Sequence, residues 1–277
     1  MRHGAVLLSE IDCERKRMPP RPTRKIEMTS PMRTHFFPTT FFALIALVFG
    51  ASANAFDHTH SALTAILRTY VNNVGMVNYK ALKENRADLE AYLKTTAAVS
   101  EKDFKSWAEN DQIAFLTNVY NAETLQYIVD NYPVKSIKKL GPLLGSPWDE
   151  KNVDLFGGKT TLNKVEHSKL REDYDEPRLH FALVCAAKSC PPLRAEAYTG
   201  AKLDDQLTDQ AKVFLAESAK NRVEGDTLHL SMIFKWYGDD FNKDGKTHID
   251  YINPFYEADT TKLSVKYTDY DWDLNKQ

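Results

Sequence analysis

Residues 111–132 carry the longest uninterrupted helical pattern in this chain, and that pattern is where the fold has to be built. Its apolar face runs Ala114, Asn118, Asn121, Leu125 and Ile128, with Phe115, Val119 and Ala122 beside it. Asn110 or Asp111 is placed to cap the start, and Pro133 stands just past the end. Two asparagines therefore occupy positions that the period assigns to the interior. A buried carboxamide left unpaired costs about 1–3 kcal/mol, so Asn118 and Asn121 each require a defined partner. Two outcomes are open: they tie the helix to neighbouring backbone, or they line a polar pocket and bind substrate.

Other segments fill in around that helix. Leu63 to Val71 and Tyr79 to Leu93 have helical spacing, and residues 203–219 read as a further helix. Residues 152–162 read as a hairpin turning at Gly157-Gly158, and Asn163 is placed to cap a helix through Glu166, His167 and Leu170. Residues 178–186 read as a strand, as do 227–234, and residues 247–256 as a short last helix. The expected class is α+β: a helix-rich single domain with a small antiparallel sheet.

The first 55 residues do not belong to that pattern. Residues 1–31 are basic and rich in proline, with no apolar period. Met32-Arg33, the apolar block Phe41 to Phe49, and Ala53-Asn54-Ala55 then supply the basic start, the hydrophobic stretch and the small-residue cleavage site of a secretory signal peptide. We expect an upstream leader over 1–31 with the true start at Met28 or Met32, a signal peptide over 32–55, and a globular domain over 56–277. The apolar block is about half the ~20 residues needed to span a bilayer, so stable membrane insertion after cleavage is not expected. Removing residues 1–55 takes away 8 basic and 4 acidic residues together with Cys13, which leaves a net charge of −6, Cys185 and Cys190. That charge argues against a nucleic-acid partner. The expected location is the periplasm or outside the cell, where disulfides persist.

Several residue types that carry chemistry fall in the second half. His180 sits on an apolar segment, and histidine is suited to proton transfer near neutral pH. Alternation along a strand would place His180 and Cys185 on opposite faces, whereas Cys190, in a turn, is freer to approach His180 or His167. The alternative for the two cysteines is a disulfide closing a tight loop, or two inert thiols. Glu166 and His167 with Leu170 and Arg171 form a further cluster on one helix. No zinc or phosphate-loop motif is present. Asp240, Asn242 and Asp244 followed by Gly245 match the first half of a calcium loop, but Tyr251 stands where the closing glutamate belongs. No other cofactor is implied.

The blocks Ala114 to Ala122, Val165-Glu166-His167 with Leu170-Arg171, His180 to Cys185 with Ser189-Cys190-Pro191, and Phe234 to Tyr237 with Asp240-Phe241 occur in that order. Together they resemble the domain-of-unknown-function family numbered 547, over about residues 77–256. The family brings no established activity. Its relatives are more alike at Cys185 than at Cys190. The blocks are also similar to papain-like and transglutaminase-like folds, in which a nucleophilic cysteine opens a helix and a histidine opens a strand; Asn118 or Asn121 stands where that nucleophile would be. Two functions follow as expectations. One is an exported hydrolase or transferase acting on amide or peptide-like substrates. It would use His180 as general base, Cys185 or Cys190 as nucleophile, Glu166 or His167 as the orienting group, and Asn118, Asn121 and Arg171 to hold substrate. The other is a non-catalytic periplasmic binding or interaction module for a small molecule or peptide, with the same residues in a buried hydrogen-bond network.

Overall fold

A computed structural model of the chain describes residues 56–142, 145–242 and 244–277. The leader and signal-peptide expectations for residues 1–55 lie outside the described residues. The long helix forms as expected and stands at the centre. It spans Glu109–Asn131 (α5), and it is buried on all sides along most of its length. The cap is Ala108, with no side-chain bond, so Asn110 and Asp111 do not cap it.

Among the described residues four helices precede it: α1 Ser61–Tyr70, α2 Tyr79–Glu84, α3 Ala87–Ala97 and α4 Glu101–Phe104. In α1 the buried residues Leu63, Ile66 and Leu67 follow the i, i+3, i+4 stripe of an amphipathic helix. The single helix expected over residues 79–93 is two. Asn85 folds its side-chain amide back onto the carbonyl of Ala81 at 3.0 Å, which ends α2 one turn before Leu89 begins the next buried stripe.

After α5 comes a hairpin, β1 Val153–Leu155 with β2 Gly158–Thr160, paired antiparallel. Its turn is Phe156-Gly157, one residue earlier than the glycine pair suggested, with both residues in the left-handed region (φ 54° and 75°). A π-helix over Lys164–Arg171 follows, then a helical turn α6 Leu179–Ala182, α7 Leu203–Leu215, and the strands β3 Arg222–Glu224 and β4 Thr227–Leu230. Two short helices, α8 Ile233–Trp236 and α9 His248–Ile252, precede β5 Ser264–Tyr267. The second sheet is mixed: β4 pairs antiparallel with β3 and parallel with β5. The fold of the described residues is helix-rich α+β, with two small sheets.

The described residues form three apolar clusters, two of which include α5. One joins α1–α3 to its C-terminal half, one joins the β1–β2 hairpin and the π-helix to its N-terminal half, and one lies under α7, β4 and the segment leading to α9. Among the described residues no helix is long and apolar enough to cross a membrane.

Candidate functional site

The two interior asparagines of α5 are where the site's scaffold starts. Asn118 donates to the carbonyl of Tyr198 at 2.8 Å and accepts the Tyr198 N–H at 2.9 Å. Asn121 does the same across Leu183, donating to the Ala182 carbonyl and accepting the Val184 N–H, both at 2.9 Å. Each carboxamide thus behaves like a short piece of β-strand, satisfying one donor and one acceptor of a passing chain. The substrate-binding role expected for Asn118 and Asn121 gives way to the backbone-tying one, because both ends of each amide are occupied.

That clamp also explains the segment expected to be a strand over residues 178–186. Leu179–Ala182 is a helical turn, and the chain becomes extended only at Leu183. The backbone groups around Leu183 that a neighbouring strand would have satisfied are held by Asn121, so no strand is needed. His180 consequently does not alternate with Cys185. Its ring lies buried, stacked on Tyr237 with centroids 4.2 Å apart, and Nε2 is 2.7 Å from Oδ2 of Asp240.

Asp240 comes from the tight turn after α8. Its two oxygens accept from Arg171, Nε to Oδ2 at 2.6 Å and Nη2 to Oδ1 at 2.8 Å, a bidentate pair. Burial would raise its pKa, but the hydrogen bonds from His180 and Arg171 outweigh burial and hold the carboxyl well below the usual range. Of the calcium-like motif, Asp240 faces inward onto Arg171 and His180, and Asn242 accepts the backbone N–H of His248 at 3.0 Å. Asp244 sits exposed in the left-handed region (φ 51°), where an aspartate before glycine is an ordinary turn residue. Among the described residues no group of three or more His, Cys, Asp or Glu side chains is arranged to hold a metal ion.

The π-helix supplies the other wall. Its i→i+5 spacing is seen in the bond from Glu172 N–H to the carbonyl of His167 at 3.1 Å. Arg171 Nη1 lies 2.6 Å from His167 Nδ1. Since arginine only donates, Nδ1 is the acceptor and the ring proton sits on Nε2. Burial lowers the His167 pKa against the opposing pull of Glu166, and the nearby Arg171 and His180 lower it further. Glu166, one residue earlier, is buried and faces the hydroxyls of Tyr120 and Tyr237; burial and then this carboxylate push both phenols far above their usual range. Arg171 also lies over the Tyr237 ring at 4.9 Å.

Cys185 and Cys190 form a disulfide, with Cα atoms 6.2 Å apart, so neither is a thiol nucleophile in this state. Tyr270 places its hydroxyl 3.3 Å from Cys185 Sγ and 3.2 Å from Cys190 Sγ.

The structure therefore brings Glu166, His167, Arg171 and His180 together around Tyr237, and adds Asp240 as the anion that Arg171 and His180 share. Of three further participants, Tyr120 and Tyr237 lie in the blocks that carry the family resemblance, and Tyr270 lies outside them with no signal in the sequence. A fourth residue outside the cluster, Glu123, is buried on α5 with its carboxyl pushed up to about 7 by desolvation.

Comparison with characterised proteins gives no match among curated proteins or solved structures. Residues 104–215, which include all of α5, the π-helix and both cysteines of the disulfide, match the model of the family described as protein of unknown function, DUF547.

Proposed function

We propose that this chain is an exported binding module, periplasmic or secreted, that holds a small molecule or peptide through an oxygen acceptor such as an amide carbonyl or carboxylate. The observation that carries this reading is the state of the groups that would otherwise do covalent chemistry. The two cysteines are joined to each other, and the two asparagines are spent on backbone. What the cluster has left to offer is donors. Arg171 has five N–H groups, of which three meet Asp240 and His167, and His167 carries its remaining proton on Nε2. Both side chains are partly exposed. Export is supported by the apolar block before Ala53-Asn54-Ala55 and by the disulfide, which suits an oxidising compartment.

The second reading, a hydrolase or transferase for amide or peptide-like substrates, is favoured by the His180–Asp240 pair. A carboxylate holding an imidazole is how a general base is oriented. In that reading Asp240, and not Glu166 or His167, orients His180.

A panel of acylated amino acids, short peptides and simple amides separates the two by calorimetry and product analysis. Saturable binding without turnover, weakened about tenfold or more by Arg171→Gln, supports the binding module. Time-dependent product that disappears in His180→Gln would replace it with the enzyme.

A further inference from the structure

The disulfide differs sharply at its two ends. Cys190 is buried, with 2 % of its surface exposed, whereas Cys185 is only partly covered. Cys190 Sγ accepts the backbone N–H of Cys185 at 3.1 Å, and the Tyr270 hydroxyl stands 3.2 Å from Cys190 Sγ and 3.3 Å from Cys185 Sγ, ready to donate to whichever sulfur takes up charge. The ammonium of Lys220, paired with Glu217 at 2.8 Å, also donates to the Cys190 carbonyl at 2.6 Å and so fixes the backbone of that residue. Hydrogen-bond donors stabilise a thiolate, and a sulfur so stabilised is the better leaving group in exchange. A disulfide serving only as a staple has no need of one open sulfur and one sulfur furnished with donors.

We propose that Cys185–Cys190 is a thiol–disulfide exchange site for a dithiol, with Cys185 the sulfur attacked and Cys190 the sulfur released. The thiolate of the dithiol forms a bond to Cys185 Sγ as the Sγ–Sγ bond breaks. The electron pair of that bond leaves on Cys190 Sγ, held by the Cys185 N–H and the Tyr270 O–H. The second sulfur of the dithiol, as its thiolate, then attacks the first, forming the dithiol's own disulfide and releasing Cys185 as a thiolate. Two electrons pass from the dithiol to the protein, and the two cysteine thiolates take up two protons. This activity is separate from the binding reading above and survives its failure.

The test uses the full oxidised chain and a monothiol, glutathione, which forms the mixed disulfide but cannot complete the second step efficiently. After acid quenching, peptide mapping reads Cys13, Cys185 and Cys190 individually. The expected result is glutathione on Cys185 with Cys190 free, in at least about tenfold excess over the reverse adduct. Adduct mainly on Cys190, or adduct appearing only in unfolding concentrations of urea, overturns the proposal. Tyr270→Phe, with its far-UV dichroism unchanged, is expected to slow adduct formation several-fold; an unchanged rate removes Tyr270 from the leaving-group role. Where that variant misfolds, the mapping of the unaltered chain still decides.

Discussion

His180 Nε2 and Arg171 Nε converge on one atom, Oδ2 of Asp240, at 2.7 and 2.6 Å. A single carboxylate thus fixes two side chains that come from different elements 60 and 69 residues away. Removing the charge leaves the guanidinium without its partner in a half-buried setting. Asp240→Asn is expected to cost about 1–3 kcal/mol, less than a fully buried pair because solvent reaches both partners. The pH dependence has a definite sign. Because the folded-state pKa is depressed, this contribution is present above about pH 4 and is lost as pH falls below it. Urea denaturation at pH 7 and pH 3 should therefore show a smaller gap for Asp240→Asn than for the unaltered chain; equal gaps would count against it.

Asn121 bridges the carbonyl of Ala182 and the N–H of Val184. Asn121→Ala leaves both backbone groups buried without that partner, and a loss of about 2–4 kcal/mol is expected. Asn121→Asp discriminates further. It retains an acceptor for the Val184 N–H but turns an oxygen toward the Ala182 carbonyl, so it should be no better than alanine. A variant with wild-type stability would mean that the clamp is unimportant.

The same asparagine shows how far the sequence could be read. Its position on the buried face of α5 followed from helical period alone, and so did the need for a partner. The partner's identity did not, because Ala182 and Val184 lie more than 60 residues away in a segment whose composition reads as strand. Short elements such as Leu179–Ala182 are decided by what they pack against and not by propensity, and here a side chain replaces the neighbouring strand. Asp240 failed for a related reason. Locally it begins a turn that resembles a calcium loop, and only the tertiary fold brings Arg171 and His180 to it. The tyrosines gave no signal, since a buried phenol and a functional one look alike in sequence.

Glu123 and His60 should make opposing contributions to stability. Burial lowers the pKa of His60 to about 4, and its Nδ1 lies 2.8 Å from the Tyr92 hydroxyl. Between pH 4 and 6.5 the unfolded chain binds this proton and the folded chain does not, so stability rises with pH through that window. Glu123 is the reverse. Its pKa is raised to about 7, so the folded chain binds the extra proton from about pH 4.5 upward and stability falls with pH until about 7. Glu123→Gln is expected to stabilise the protein at pH 8 by about 1–3 kcal/mol and to expose a steeper acid-side slope. His60→Asn, which tolerates the left-handed backbone at that position (φ 48°), should flatten that slope. Melting temperatures measured from pH 4 to 8 for the three proteins test the pair; a Glu123→Gln variant less stable at pH 8 would contradict the sign.

Asn118 and Asp111 lie two helical turns apart on one side of α5, and both meet the segment around residues 198–200. A Cβ added at Gly200 would stand 2.0 Å from Asp111 Oδ1 and 2.9 Å from its backbone nitrogen. The carboxylate can swing away, but the backbone nitrogen cannot, so the segment itself must lift. Gly200→Ala is expected to cost about 1–3 kcal/mol by this overpacking. Two residues along, Tyr198 gives both its backbone groups to Asn118, and the lift would loosen those bonds too. Part of the benefit of Asn118 is then already lost in the glycine variant. The double variant Asn118→Ala with Gly200→Ala should therefore lose less stability than the two single losses added together, by about 0.5 kcal/mol or more. Urea denaturation of the four proteins gives the coupling directly, and strict additivity would show that the two contacts hold the segment independently.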